Sequence, residues 1–157
     1  MSVGLLSALE TYERAIKSGK PCDFTFQHKL CHDFESLIWV IVYAMMVRRK
    51  TILEATDPSV YTEYKEELNR LWGVHSHSKL ADCHMLMIII GIRRSRTIVE
   101  DLLFPDPLEA EFFRAAMRLV NSQGDGEKPI TYEKLLDLFH THVQKAEQAS
   151  LPTLTSA

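Results

Sequence analysis

Cysteine is scarce: Cys22, Cys31 and Cys83 are the only three in 157 residues, too few for a disulfide framework. A secretory start is missing as well. Met1 to Leu9 has no basic lead-in, and Glu10, Glu13 and Arg14 break the segment before any cleavage site. Both absences point to a reducing, intracellular home, cytoplasmic or nuclear. Nor is there a surplus of positive charge. Eighteen Lys and Arg face 21 Asp and Glu, a net charge of −3, so nothing draws the chain generally to nucleic acid or anionic lipid. The triplets Arg48-Arg49-Lys50 and Arg93-Arg94-x-Arg96 read as solvated cations at helix ends, where they complement the dipole. The longest uninterrupted apolar run, Leu37 to Val47, falls short of the roughly 17–25 residues of a membrane span. Repeats and low-complexity tracts are absent.

What the chain does have is the stretch His32 to Val47, H-D-F-E-S-L-I-W-V-I-V-Y-A-M-M-V. It is an acidic helix start running straight into a segment without a polar face. A soluble surface helix keeps a polar stripe, so an all-round apolar helix too short to span a membrane belongs at the centre of a core. Asp33 reads as its N-cap, Glu35 and Ser36 as its first turn, and Trp39 as a core residue.

Helical periods recur elsewhere. Leu5, Leu6, Leu9, Tyr12, Ala15 and Ile16 predict an amphipathic helix over Ser2 to Lys17, stopped by Gly19-Lys20-Pro21. A connector runs from Cys22 to Cys31, with Phe24 and Phe26 alternating. Asp57-Pro58 marks a turn and a helix start, Val60 to Trp72 a charged helix, and Gly73 its C-cap. His75 to Lys79 reads as polar loop. Leu80 to Ile92 reads as a helix, although the β-branched end of Met85-Leu-Met-Ile-Ile-Ile90 suits a strand too. Leu108, Phe112, Ala116 and Val120 set a helix over Leu108 to Asn121 behind Pro105 and Pro107, and Thr131 opens a last one carrying Tyr132, Leu135, Leu136, Leu138, Phe139 and Val143. The expected organisation is one all-α domain over residues 1–148, since domains commonly run to about 100–150 residues, with a disordered polar tail over 149–157.

The string His32-Asp33-Phe34-Glu35-Ser36-Leu37-Ile38-Trp39-Val40 resembles the H-D-L-E-S-x-x-W/Y-V pattern in the carboxy-terminal lobe of the fungal-type protein kinase family, itself similar to the D-x-W-S-x-G helix of protein kinases. The resemblance implies a helical large lobe around this segment as its apolar pillar, with Asp33 bracing the catalytic loop. Met1-Ser2-Val3-Gly4-Leu5-Leu6 resembles the F-M-S-x-E-L-L stretch that follows the activation segment in that family. One departure is Gly4, where the family has the Glu of a buried Glu–Arg pair. The larger departure concerns the small lobe and the catalytic loop. Phosphoryl transfer needs a Gly-rich loop, a strand Lys, a catalytic Asp and magnesium ligands. The sequence contains no G-x-G-x-x-G, V-A-I-K, H-R-D-x-x-x-x-N or D-F-G. Asp33-Phe34-Glu35 shares two letters with D-F-G but opens an apolar helix. ATP and magnesium are therefore implied only for a complete parent domain, and no cofactor or catalytic residue is assigned here.

Seven histidines raise the question of zinc, which takes four ligands in two close pairs. The pairs Cys31/His32, His75/His77, Cys83/His84 and His140/His142 lack the C-x₂₋₄-C or H-x₃₋₅-H spacing. His28-x₃-His32 has it but finds no cysteine pair. Adjacent helical residues point about 100° apart, which leaves His75 and His77 with Cys83 as the best set of ligands. No nucleophile comes with a base and an orienting acid, and Gly124-Asp125-Gly126 reads as a turn. The aromatic residues Trp39, Trp72, Phe112, Phe113 and Phe139 read as core. A large lobe without its other parts would leave apolar surface open to a protein partner or to upstream kinase segments. Two functions are expected on these grounds: a catalytically incompetent, partial kinase-like lobe, or a helical protein-interaction module unrelated to kinases.

Overall fold

The computed structural model describes residues 3–19, 29–73, 76–93, 95, 97–124 and 129–150. Every regular element among them is an α-helix: α1 Val3–Lys17, α2 Leu30–Thr56, α3 Pro58–Trp72, α4 His77–Ile92, α5 Ile98–Leu103, α6 Pro107–Gly124 and α7 Tyr132–Ser150. The expected all-α class holds. The connector with Phe24 and Phe26, the loop from Asp125 and the tail beyond Ser150 lie outside the described residues.

Short side chains start most of these helices. Asp57 accepts from the Ser59 and Val60 amides ahead of Pro58 at 3.2 Å each, Ser76 accepts from the Lys79 amide, Thr97 from the Glu100 amide, and Asp106 from the Leu108 and Glu109 amides. Each satisfies an amide that the helix itself leaves open. At the other end of α3 the Gly73 amide donates to the Asn69 carbonyl at 2.7 Å. A Cβ on Gly73 would stand 2.5 Å from that oxygen, so close approach requires the glycine.

α2 departs from expectation at both ends. Its N-cap is Lys29, whose amide donates to His32 Nδ1 at 3.1 Å. Asp33 is therefore not the cap. It stands within the first turn, where its charge complements the dipole. The helix also continues through Arg48-Arg49-Lys50 for nearly two further turns. The cations lie within the helix and not at its end, and Arg48 stands 3.6 Å from Glu109 of α6. At 27 residues α2 is long and apolar enough to cross a membrane by length and composition, which its uninterrupted apolar run alone is not.

The centre of the fold is α4, which packs against α1, α3, α5 and α6 and meets α2 through the Trp39–His84 stack, whereas α2 packs mainly on α3 and α6. The expectation of α2 as central helix is corrected accordingly. α4 qualifies because Ala81, His84, Met87, Ile88, Ile90 and Gly91 are all buried. α6 seats Phe113, Ala116 and Met117 against the common core. Gly91 sets the approach: a Cβ there would meet Cβ and Cγ of Met117 at 2.5 Å each and a Phe113 ring carbon at 3.3 Å. A second tie joins the short α5 to α6. Arg114 Nε donates to Glu100 Oε1 at 2.5 Å and Nη2 to Oε2 at 3.0 Å, with Glu100 wholly buried. Two parallel bonds to one carboxylate are the geometry that makes a buried charge tolerable.

Gly91→Ala tests this packing. Alanine gains up to about 1 kcal/mol in helix propensity, but overpacking a fixed Cβ contact costs about 1–3 kcal/mol. Chemical denaturation should show a net loss of up to about 2 kcal/mol; a gain would mean that α4 and α6 are not held this closely.

Candidate functional site

α2 carries two apolar faces with different surroundings. Facing inward, Ile38, Trp39, Val42, Met46 and Leu53 are buried. The Trp39 ring stacks on the imidazole of His84 from α4, centroids 3.9 Å apart and planes 12° from parallel. Trp72 of α3 presents its edge to both rings, at 6.1 Å and 5.2 Å. Trp39 Nε1 donates to buried Glu35 one turn earlier at 3.2 Å, and Tyr64 of α3 donates its hydroxyl to the Met46 carbonyl at 2.9 Å. Trp39 is thus core, as its position in the apolar run implied. His84 is a surprise. Neither ring nitrogen has a hydrogen-bond partner among the described residues, and burial pushes its pKa down from 6.5 to about 3. It serves as a neutral aromatic plate between two tryptophans.

The outward face is the second surface. Leu37 is 43% exposed, Val40 61%, Tyr43 44% and Val47 37%, with Ala44 exposed between them. All-round apolarity had implied cover on every side. Among the described residues its cover is partial: the Tyr43 ring leans on Trp72 of α3 with centroids 5.2 Å apart, while Leu37, Val40 and Ala44 stay exposed.

The polar pairs singled out in the sequence are engaged separately. His32 accepts from the Lys29 amide, His140 pairs with Gln144 at 3.0 Å, and His142 donates from Nδ1 to the Leu138 carbonyl at 2.7 Å. His77 Nδ1 meets Glu13 Oε1 at 2.7 Å. Cys83 points its thiol toward the Arg70 carbonyl at 3.6 Å, and burial raises its pKa, away from the thiolate a metal needs. His28 and His75 lie outside the described residues. No group of three or more His, Cys, Asp or Glu placed to hold a metal occurs among the described residues. An open groove of about 490 Å³ between α6 and α7 is lined by Ala115, Leu119, Leu138, Arg118, Lys134 and His142 among others. It lacks any assembled acid, base and nucleophile.

Set against models of protein families, curated proteins and solved structures, the chain matches none. The site therefore rests on its own geometry. Sequence reasoning missed His84 because, beside Cys83, it looked like half of a poor metal pair. The signal that could have found it was the spacing of Ala81, His84 and Ile88, which puts the imidazole on the buried stripe of α4.

The folded pKa of His84 lies below its unfolded value, so the unfolded chain takes up the proton first. Its contribution to stability is complete above about pH 6.5 and drains away as pH falls toward about 3. His84→Phe keeps the stack and removes the proton site. The stability difference between His84→Phe and the native chain should grow in favour of the variant by about 2 kcal/mol between pH 7 and pH 5, read from urea midpoints. A constant difference would show that the imidazole titrates normally. Melting with and without a strong chelator should give one unchanged transition, because structural zinc would contribute to folding directly; a lower Tm with chelator would restore the set His75, His77 and Cys83.

Proposed function

We propose that this chain is a carboxy-terminal-lobe segment of the fungal-type kinase kind that does not transfer phosphoryl groups and acts by docking another polypeptide on the outward face of α2. The observation that carries the docking role is the exposed stripe Leu37, Val40, Tyr43 and Val47, on the same helix that bears His32-Asp33-Phe34-Glu35-Ser36. Incompetence for catalysis follows from the missing Gly-rich loop, strand Lys, catalytic Asp and magnesium ligands. Asp33, the brace in the parent family, has no catalytic loop to brace in this sequence and takes on the electrostatic role at the start of α2.

A second reading, a helical interaction module unrelated to kinases, draws its support from the packing. The resemblance implies α2 as the pillar, whereas the helix contacted from most sides is α4. Both readings make α2 the docking element. They part on ancestry, which the coding DNA upstream of Met1 decides: an in-frame H-x-D-like segment followed by D-F-G favours the first, unrelated sequence the second.

Thermal shift with magnesium ATP tests the shared claim. A ligand that binds only the folded state raises Tm by mass action, so no shift at about 1 mM nucleotide is expected. Stabilisation by magnesium ATP would overturn the non-catalytic reading.

A further inference from the structure

The outward face of α2 has a period. Leu30, Asp33, Leu37, Val40, Ala44, Val47, Thr51 and Glu54 succeed one another at alternating steps of three and four residues, and all are exposed. Only Leu37, Val40, Ala44 and Val47 of this line are consecutive apolar positions, with Tyr43, Arg48 and Ile52 exposed beside them, a stripe of the width one partner helix covers. The apolar part, Leu37 to Val47, runs for about 15 Å along the helix axis. Its ends are unlike: Asp33 stands at the amino-terminal end of the seam and Arg48 flanks the carboxy-terminal end, where its guanidinium is 74% exposed and 3.6 Å from its loose partner Glu109.

We infer that this seam pairs with the same seam of a second copy, the two α2 helices antiparallel. The inference rests on the docking role of α2 proposed above and names its occupant. Antiparallel pairing centred on Val42 sets Val40 against Ala44 of the other copy and Leu37 against Val47, each large side chain meeting a smaller or β-branched one. The same register brings Asp33 within about one turn of Arg48 of the other copy, twice over by symmetry. A parallel pair would instead stack Asp33 on Asp33 and Arg48 on Arg48. Charge therefore selects both the partner, a helix with the same polarity of ends, and its direction. Ala44 at the middle lets the two backbones approach, and Tyr43 flanks the seam as a candidate anchor.

Sedimentation velocity on the full chain tests this across about 1–100 µM, the range in which interfaces of modest size associate. The native chain should sediment as a dimer of its 18.0 kDa subunit. Val40→Glu, on the exposed face of α2, should weaken association about 100-fold or more with an unchanged circular dichroism spectrum and a Tm that no longer depends on concentration. Asp33→Arg and Arg48→Asp should each weaken it about tenfold, and the double reversal should restore it, since only an antiparallel pair matches the swapped ends. Should Val40→Glu fail to fold, the charge reversals alone still decide. A native chain that stays monomeric throughout, a dimer indifferent to Val40→Glu, or a monomer that partitions onto phosphatidylcholine–phosphatidylserine vesicles would each overturn the proposal. None of these readouts depends on nucleotide, so failure here is distinct from failure of the non-catalytic reading.

Discussion

The stack of Trp39 on His84 fixes the rotation of α2, and the division of this helix into a buried and an open face depends on that rotation. Successive helical residues turn by about 100°, so positions two apart stand about 200° apart. Once Trp39 lies flat against an α4 side chain and Met46 presents its carbonyl to Tyr64, Val42 must face inward and Val40 and Ala44 must face out. The helix cannot bury both faces by rolling. Rolling would separate the rings, leave the Tyr64 hydroxyl without its acceptor in a dry site, and pull Ile38 and Leu53 from the core.

Buried polar groups in this fold are handled in two contrasting ways. Glu100 lies inside with both oxygens answered by Arg114 of a neighbouring helix, the arrangement in which attraction and hydrogen bonding offset desolvation. His84 gives up its charge instead. With tryptophans at its face and flank, the imidazole has more to gain from stacking than from solvation, and desolvation keeps it neutral at physiological pH. One device ties α5 to α6 through charge; the other ties α2 to α4 and α3 through neutrality.

Much of the helical layout was legible because apolar residues recur at three and four residue steps in α1, α3, α6 and α7, and because Asp57-Pro58 and Pro107 punctuate the chain. α5 was not, since six residues are too few to show a period. The start of α2 was hidden because Lys29 is no capping residue; the cap works through the His32 ring. Its end was misplaced because a basic triplet looks like a terminus until Glu109, distant in sequence, is seen beside Arg48. The candidate surface was half legible. A helix apolar all round announces two faces to cover, but periodicity cannot say which neighbours are present to cover them, and the partner of the inner face, α4, was recognisable as central only once Gly91 and Met117 were seen in contact.

The outer stripe is hard to account for within a single copy. A valine that stays largely in water contributes almost nothing to folding, since surface substitutions away from special features stay within about ±0.5 kcal/mol. Valine is also a poorer helix former than alanine, lysine or glutamate by about a few tenths of a kcal/mol. Val40 in α2, 61% exposed, thus weighs slightly against the isolated helix, while an exposed charged residue there would favour both helix and solubility. Burial of such side chains recovers about 25 cal/mol per Å² of apolar surface, far more than the propensity lost. An apolar stripe of this kind, opposite a face already locked by Trp39 and His84, is what the proposed helix pair would cover.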